Sequence, residues 1–418
     1  MPNTFKIYTL GCKVNRYDSG TVKAELIATG LKPVLGKADL VLVNTCSVTE
    51  SAIHKNKRMI NKARQENPLA KVVLLGCWPK IDIAQATNAG ADIIWGTGKF
   101  NELILQINNL FPDKNNTDFK IPGLSSIDRA RYFLKIQDGC EQFCSYCIIP
   151  FARGKYQSRD SDELLLEAES AVKLGYEEIV LCGVHLGMYG REGNNETKTN
   201  LCGIIKKILK IKGLGRIRLS SIEINEVTDE LIDLMKKNRK ICRHLHIPLQ
   251  GGTDRILKAM NRPYNIAFFK NKIDKIQKEL PDVAISTDVI VGFPGETKID
   301  FEKTKDFIRK CEFSRLHVFS FSAHKKTKAY AMPDHIEKLE IKHRSEELRV
   351  VSKNLEKNHL EKYRNKKLII LVEKQSDDNY MGKSEYYFNI NFTKNDVTNW
   401  FGHKSNDSLI KKLVEIKN

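Results

Sequence analysis

Residues 137–150 read QDGCEQFCSYCIIP and carry Cys140, Cys144 and Cys147 in a C-x3-C-x2-C run. A structural zinc site takes four ligands, commonly from paired C-x2-C units far apart in the chain. A disulfide needs an even number of cysteines and an oxidising compartment. Three thiolates spaced this closely, with no fourth, suit neither. They suit a cubane iron–sulfur cluster in which the protein leaves one iron open to a substrate or cofactor.

Three more cysteines follow short apolar runs, in IYTLGC, LVLVNTC and VVLLGC. Cys12, Cys46 and Cys77 are separated by 34 and 31 residues, about one βα unit each. Parallel strands bring their carboxyl ends to one edge of a sheet, where open α/β folds bind ligands. The spacing therefore predicts a second site with three converging thiols, against the plainer reading that small residues are common after buried strands. Cys182, Cys202, Cys242 and Cys311 stand singly in apolar or helical surroundings and read as small buried hydrophobes.

The elements that must position these residues are βα units. Over residues 1–115 the runs FKIYTL, ADLVLVN, KVVLLG and ADIIWG suit buried parallel strands, and Lys- and Arg-rich helical stretches separate them. An open parallel α/β domain is expected there, followed by a linker over 116–131 rich in Pro, Asn, Asp, Gly and Ser. Residues 132–360 hold six strand candidates, YFLKIQ, EIVLCG, RIRLSS, HLHIPL, DVIVGF and LHVFSF. Helices fill most of the gaps, one opening at a Ser161 cap, which predicts a partial (β/α)6 barrel with its chemistry at the strand carboxyl ends. Residues 335–365 read as one or two charged helices. In the tail, 361–418, LIILVEK and SEYYFNINF read as strands of a small β-rich domain.

The 418 residues include 69 Lys+Arg against 51 Asp+Glu, a net charge of +18 that favours a polyanionic partner such as RNA. The surplus is spread along the chain rather than gathered in one segment. No run of 18 apolar residues offers a membrane span, and the first residues enter a strand without a signal-type apolar region. A cytoplasmic protein is expected, where clustered cysteines point to metal rather than disulfides.

With both cysteine trios in view, the chain resembles the radical S-adenosylmethionine (SAM) superfamily and, within it, the methylthiotransferases. The stretches that carry the resemblance are GCKVNRYDS, VNTCSVT, KIQDGCEQFCSYCIIPFARG, IVLCGVHLG, HIPLQGG and DVIVGFPGET. TLGCKVN, IPFARGKYQSR and GVHLGMYG are similar to the branch acting on N6-threonylcarbamoyladenosine beside the tRNA anticodon. His324 and Lys326 in FSAHKKT depart from an Arg and a Gly usual in the family, and LQGGTD departs from a turn containing Ser.

The resemblance implies two 4Fe–4S clusters, one held by Cys140, Cys144 and Cys147 and binding SAM, the other by Cys12, Cys46 and Cys77 and holding a sulfur atom. It implies radical chemistry through a 5′-deoxyadenosyl radical, with a 2-methylthio adenosine as product. It also implies a small C-terminal RNA-binding β-barrel of the TRAM type. Gly183, Gly292, Gly295 and Phe143 are the implied SAM contacts, with Tyr146 equally suited to packing. Arg153, Lys155 and Arg159, just past the cluster loop, are candidates to meet RNA phosphates. Recognition would splay an anticodon-loop base out of its stack. The implied partners are the tRNA anticodon stem-loop, an electron donor and a sulfur source, with a monomeric enzyme and no membrane. The alternatives are methylthiolation of isopentenyladenosine or of a ribosomal-protein side chain, and a non-catalytic iron–sulfur protein that binds RNA.

Overall fold

The computed structural model describes residues 4–110, 130–191, 199–403 and 408–417. The linker expected over 116–131 lies outside the described residues except for its last two. The chain forms two compact units. One comprises Met1–Asp128 with Gly139–Gln142 and Cys147–Lys155, and the other Arg129–Asp138, Phe143–Tyr146 and Tyr156–Asn418.

The first unit is built on a parallel sheet of β1 (Thr4–Thr9), β2 (Lys32–Pro33), β3 (Leu40–Thr45), β4 (Lys71–Gly76) and β5 (Ile93–Ile94), in the order β2-β1-β3-β4-β5. Every residue of β3 is buried, as an apolar run covered on both faces should be. Helices α1 (Lys13–Ala28) and α2 (Glu50–Glu66) follow β1 and β3. Thr49 caps α2 by accepting from the Ala52 N–H at 3.2 Å. Leu26, Leu42, Leu75, Leu103 and Ile107 pack one side of the sheet, while Val41, Val43, Ile60, Leu74 and Trp78 pack the other.

In the second unit all six expected barrel strands form. They are β6 (Tyr132–Lys135), then, past the short antiparallel pair β7 (Gln137–Asp138) and β8 (Gln157–Ser158), β9 (Glu178–Cys182), β10 (Arg216–Leu219), β11 (His244–His246), β12 (Ala284–Val291) and β13 (Arg315–Ser320). They pair in parallel as two halves, β10-β9-β6 and β11-β12-β13. Parallel bridges Ile217–Ile241 and Ser221–His246 link the halves into one curled wall. Asp160, not Ser161, caps the helix Ser161–Lys173, accepting from the N–H groups of Asp162 and Glu163 at 2.8 and 3.0 Å. A carboxylate there also meets the positive end of the helix dipole. The charged segment after the barrel is one helix, Lys338–Glu361.

The tail folds as a five-stranded antiparallel sheet of β14 (Lys367–Ser376), β15 (Asn379–Ser384), β16 (Asn389–Thr393), β17 (Val397–Asn399) and β18 (Leu413–Lys417), in the order β16-β15-β14-β18-β17. SEYYFNINF is not one strand. It holds the end of β15, a turn with Tyr387 at φ +74°, and β16.

A buried ion triad fastens this sheet to the barrel. Glu178, at the start of β9, is completely buried and receives Arg216 at 2.5 Å and Arg218 at 2.8 Å. Arg216 donates onward to the carbonyls of Ile369 and Lys383 at 2.7 and 2.8 Å, and Arg218 to those of Ser384 and Glu385 at 2.9 and 3.2 Å. Burial opposes ionisation of Glu178, yet the two guanidiniums more than offset it and hold the carboxyl well below the usual range. Glu178→Ala would leave two buried guanidiniums without their carboxylate, and should lower stability by about 3–5 kcal/mol in chemical denaturation. A carboxyl with a depressed folded pKa contributes stability above its unfolded value, about 4.3, and loses it as the pH falls toward the folded value. Thermal midpoints measured from pH 7 down to pH 3 should therefore fall more steeply for the wild-type chain than for Glu178→Gln.

Candidate metal centres

Cys12, Cys46 and Cys77 converge at the carboxyl edge of the first sheet. The parallel register pairs Thr9 with Asn44 and Thr45 with Gly76, so Cys46 and Cys77 leave adjacent strands level with each other. A Cβ on Gly11 would lie 2.8 Å from the Cys46 Cβ and 3.2 Å from its Sγ, so the chain entering Cys12 passes directly over Cys46. Gly11 sits at φ +94°, which glycine adopts without a Cβ penalty. Cys12 is exposed and Cys46 and Cys77 are buried, which leaves the trio open on one side.

Three asparagines absent from the sequence-based site hold the arrangement. Asn15 Nδ2 donates to the carbonyls of Leu10 at 2.9 Å and Thr45 at 2.8 Å, tying together the chain ahead of Cys12 and Cys46. Its Oδ1 lies 3.8 Å from the Cys12 sulfur and 4.0 Å from that of Cys77. Asn44 donates to the Asn15 carbonyl at 2.9 Å, and Asn56 of α2 to the Cys46 carbonyl at 2.7 Å. The signal for Asn15 and Asn44 lay in the stretches GCKVN and VNTC, as side chains that local hydrogen bonding favours at strand-to-helix corners, whereas Asn56 sits within α2 with no such signal.

Burial pushes the Cys77 thiol up to about 12 and raises that of Cys46, while Arg153 acts in the opposite direction on both. Such thiols stay protonated and unreactive by themselves, but metal binding deprotonates them outright. Three soft sulfur donors on one edge, open on one side, fit an iron–sulfur cluster.

Around the C-x3-C-x2-C run, the Cys140 N–H donates to the Gly154 carbonyl at 2.9 Å. Gly139 is at φ +73°, and any side chain there would collide with the Lys155 carbonyl. In the second unit, Ser145 donates through its N–H to the Met260 carbonyl at 3.0 Å and through Oγ to that of Ala259 at 2.8 Å. Asn261 donates to the Phe143 carbonyl at 3.1 Å, and Arg262 to the Cys144 sulfur at 3.3 Å. Tyr146 packs with Ile256, Met260, Phe293 and Ala329, whereas Phe143, at φ +49°, is exposed.

The remaining expected site residues divide. Gly183 directly follows β9, and a Cβ there would press on Gln137, with its oxygen at 3.0 Å. Gly292 and Gly295, at φ +78° and +76°, form the turn after β12, where the Gly292 N–H donates to Glu296 at 2.8 Å. Of the three basic residues expected to meet RNA, Lys155 is exposed. Arg153 instead turns inward, its side chain 2% exposed, and pairs with Asp18 at 2.9 Å. Arg159 pairs with Glu167 at 2.8 Å and donates to the Lys135 carbonyl at 3.1 Å. The family departures separate too, with Lys326 exposed and His324 buried, its carbonyl accepting from Thr327.

Sequence reading also missed a polar column inside the barrel. Ser286 joins His244 at 2.9 Å and His246 at 2.8 Å. Asp288 Oδ1 then faces His246 at 3.0 Å and His317 at 3.2 Å. Burial works against the Asp288 charge, but His246 and then His317 hold its carboxyl well below the usual range. Alternation along β11, β12 and β13 was the available signal, because His244, His246, Ser286, Asp288 and His317 fall on inward positions. Elsewhere, a cavity of about 580 Å³ between the tail sheet and the barrel's amino ends is lined by Arg239, Lys240, Arg243 and Lys367. Tyr386, Phe401, Glu177 and Glu415 also border it.

Residues 134–308 match the radical SAM superfamily, and residues 4–96 match a family described as "Uncharacterized protein family UPF0004". The superfamily brings with it SAM and a 4Fe–4S cluster. The chain is 33% identical to the threonylcarbamoyladenosine tRNA methylthiotransferase MtaB of Bacillus subtilis, over 99% of this chain and 93% of that protein. Identity to the protein of the same name from Thermotoga maritima is 36%, over 94% of this chain and 92% of that one. The tRNA-2-methylthio-N(6)-dimethylallyladenosine synthase of Clostridium tetani is 33% identical over 99% and 93%. Among solved structures, the radical SAM methyltransferase TsrM of Kitasatospora setae shares the fold at a TM-score of 0.59 and 14% identity, covering 79% of this chain and 77% of that one. No helix among the described residues is long and apolar enough to cross a membrane. With relatives a third identical along nearly its whole length and two sets of three cysteines, the chain belongs to the radical SAM methylthiotransferase family.

Proposed function

We propose that this enzyme adds a methylthio group to C2 of N6-threonylcarbamoyladenosine next to the anticodon of tRNA. The convergence of Cys12, Cys46 and Cys77 at one sheet edge carries the reading, because a second iron–sulfur cluster there has the open side that a sulfur-delivering site needs. The adenosine is supported by the MtaB relatives, which are named for it. The Clostridium tetani relative, named for a dimethylallyl substrate, makes that adenosine the second reading.

In this reading Cys140, Cys144 and Cys147 hold the cluster that binds SAM, and Cys12, Cys46 and Cys77 hold the auxiliary one. The bound cofactors supply one-electron and radical chemistry, which suits an aromatic C–H with no proton acidic enough for a base to remove. The protein's own share is positional. Asn15, Asn44 and Asn56 hold the auxiliary sulfurs in place, and the turns at Gly183, Gly292 and Gly295 give the backbone a close approach to SAM beside Phe143. The net charge of +18, exposed Lys155 and the basic, aromatic-edged cavity beside the tail sheet support contact with the anticodon stem-loop. The enzyme acts as a cytoplasmic monomer with an external electron donor and sulfur source.

Replacing Cys144 with Ala should abolish 5′-deoxyadenosine formation in an anaerobic SAM-cleavage assay. Cys46→Ala should retain that product but yield no methylthiolated RNA. Mass spectrometry of tRNA nucleosides from strains with and without the gene should show 2-methylthio-N6-threonylcarbamoyladenosine lost and its unthiolated precursor accumulating. An unchanged level of that nucleoside, with a dimethylallyl derivative lost instead, would transfer the assignment to the second reading.

A further inference from the structure

Two arginines are buried against the cysteines, one for each trio, in matching circumstances. Arg262 lies outside both cysteine stretches and its side chain is 2% exposed. One terminal nitrogen donates to the Cys144 sulfur at 3.3 Å and the other pairs with Glu223. Its Nε donates to the Tyr264 hydroxyl at 3.0 Å, and that hydroxyl is anchored on the carbonyls of Pro248 and Leu249. Every branch of the guanidinium is engaged, so its direction toward Cys144 is fixed.

Arg153, six residues beyond Cys147, is as deeply buried. It pairs with Asp18 at 2.9 Å and donates to Asn15 Oδ1 at 2.6 Å, the oxygen that lies 4.0 Å from the Cys77 sulfur. The Asn15 amide nitrogen is committed to two carbonyls, so its oxygen is the atom facing the trio. A thiol can donate to that oxygen, but a metal-bound thiolate cannot. Arg153 therefore supplies the donor that the Asn15 oxygen requires once the thiols facing it lose their protons.

Each arginine is neutralised by its own carboxylate, so what it offers is a directed N–H more than a net charge. A cluster gains one negative charge on reduction, and a hydrogen bond to a ligating sulfur stabilises that form. The effect is enlarged where water is scarce. We propose that Arg262 and Arg153 are positioning residues that raise the reduction potentials of the two clusters, each acting on its own trio, Arg262 by donating to the Cys144 sulfur and Arg153 from its place on the Asn15 oxygen beside the Cys77 sulfur. The Arg153 half rests on the two-cluster reading above.

The test uses the full chain with clusters reconstituted under anaerobic conditions, comparing wild type with Arg262→Gln, Arg262→Lys, Arg153→Gln and Arg153→Lys. Iron and sulfide are counted, and each cluster is titrated potentiometrically by electron paramagnetic resonance. Companion chains carrying Ala at one cysteine trio assign the signals. Arg262→Gln should keep its iron and shift only the Cys140–Cys147 cluster to a more negative midpoint. Arg153→Gln should do the same only to the auxiliary cluster. The Lys variants, which keep the charge but lose the fork, should shift in the same direction by less. If the Gln variants unfold or lose iron, the Lys variants decide. Variants with full iron and unmoved midpoints would overturn the proposal, as would equal shifts of both clusters from a single substitution. A wild-type count of about four irons rather than about eight would instead remove the two-cluster reading, and the Arg262 arm would still decide its half.

Discussion

Parallel pairing is the constraint on which the convergence of Cys12, Cys46 and Cys77 depends. Strands β1, β3 and β4 are joined edge to edge in one direction, so whatever follows each of them emerges on the same side. The register that sets Thr45 against Gly76 also sets Cys46 level with Cys77. Strand order adds the rest, because β3, which leads to Cys46, lies between β1 and β4, which lead to Cys12 and Cys77. Side-chain amides then do what strand geometry alone cannot. Asn15 ties two strand ends together through their carbonyls, and Asn56 holds Cys46 from the helix that follows it.

Charge is buried repeatedly in this protein, and at four places an opposite charge lies against it. Glu178 sits between Arg216 and Arg218, Arg153 against Asp18, Arg262 against Glu223, and Glu296 against Arg344 at 2.7 Å. A buried guanidinium is tolerated when its donors are all used, and its planar fork can reach a carboxylate and a second acceptor together. The second acceptor differs with place. For Arg216 and Arg218 it is the backbone of the tail sheet, and the result is attachment. For Arg262 it is the Cys144 sulfur, and for Arg153 it is the Asn15 oxygen that faces the Cys12 and Cys77 sulfurs.

The barrel interior follows the same rule on a smaller scale. His244, Ser286, His246, Asp288 and His317 satisfy one another across three strands, and the His244 ring stacks on Tyr387 from the tail at 4.7 Å between centroids. The Tyr387 ring also lies 5.1 Å from the Arg218 guanidinium. The turn that breaks SEYYFNINF is thus one contact by which the tail sheet meets the barrel. The carbonyls of Ser384, at the end of β15, and of Glu385, just past it, take donors from Arg218.

By itself the sequence determined the spacing of the cysteines along the chain and the class of fold. Cysteine spacing is covalent and local, and the six barrel strands are legible because apolar residues recur in short runs that buried parallel strands favour. It also implied a basic, RNA-compatible chain, since charge is additive whatever the fold. Tertiary structure alone decided which polar residues face one another. Arg153 and Lys155 are two residues apart and look alike in sequence, yet one is sealed against Asp18 and Asn15 and the other is exposed. Arg262 lies far from Cys144 along the chain and reaches its sulfur, with Glu223 holding the guanidinium, only because the barrel folds them together. Residue type and spacing reveal what a side chain can do. Whether a charge is solvated, paired or aimed at a sulfur depends on neighbours that only folding brings within a few ångströms.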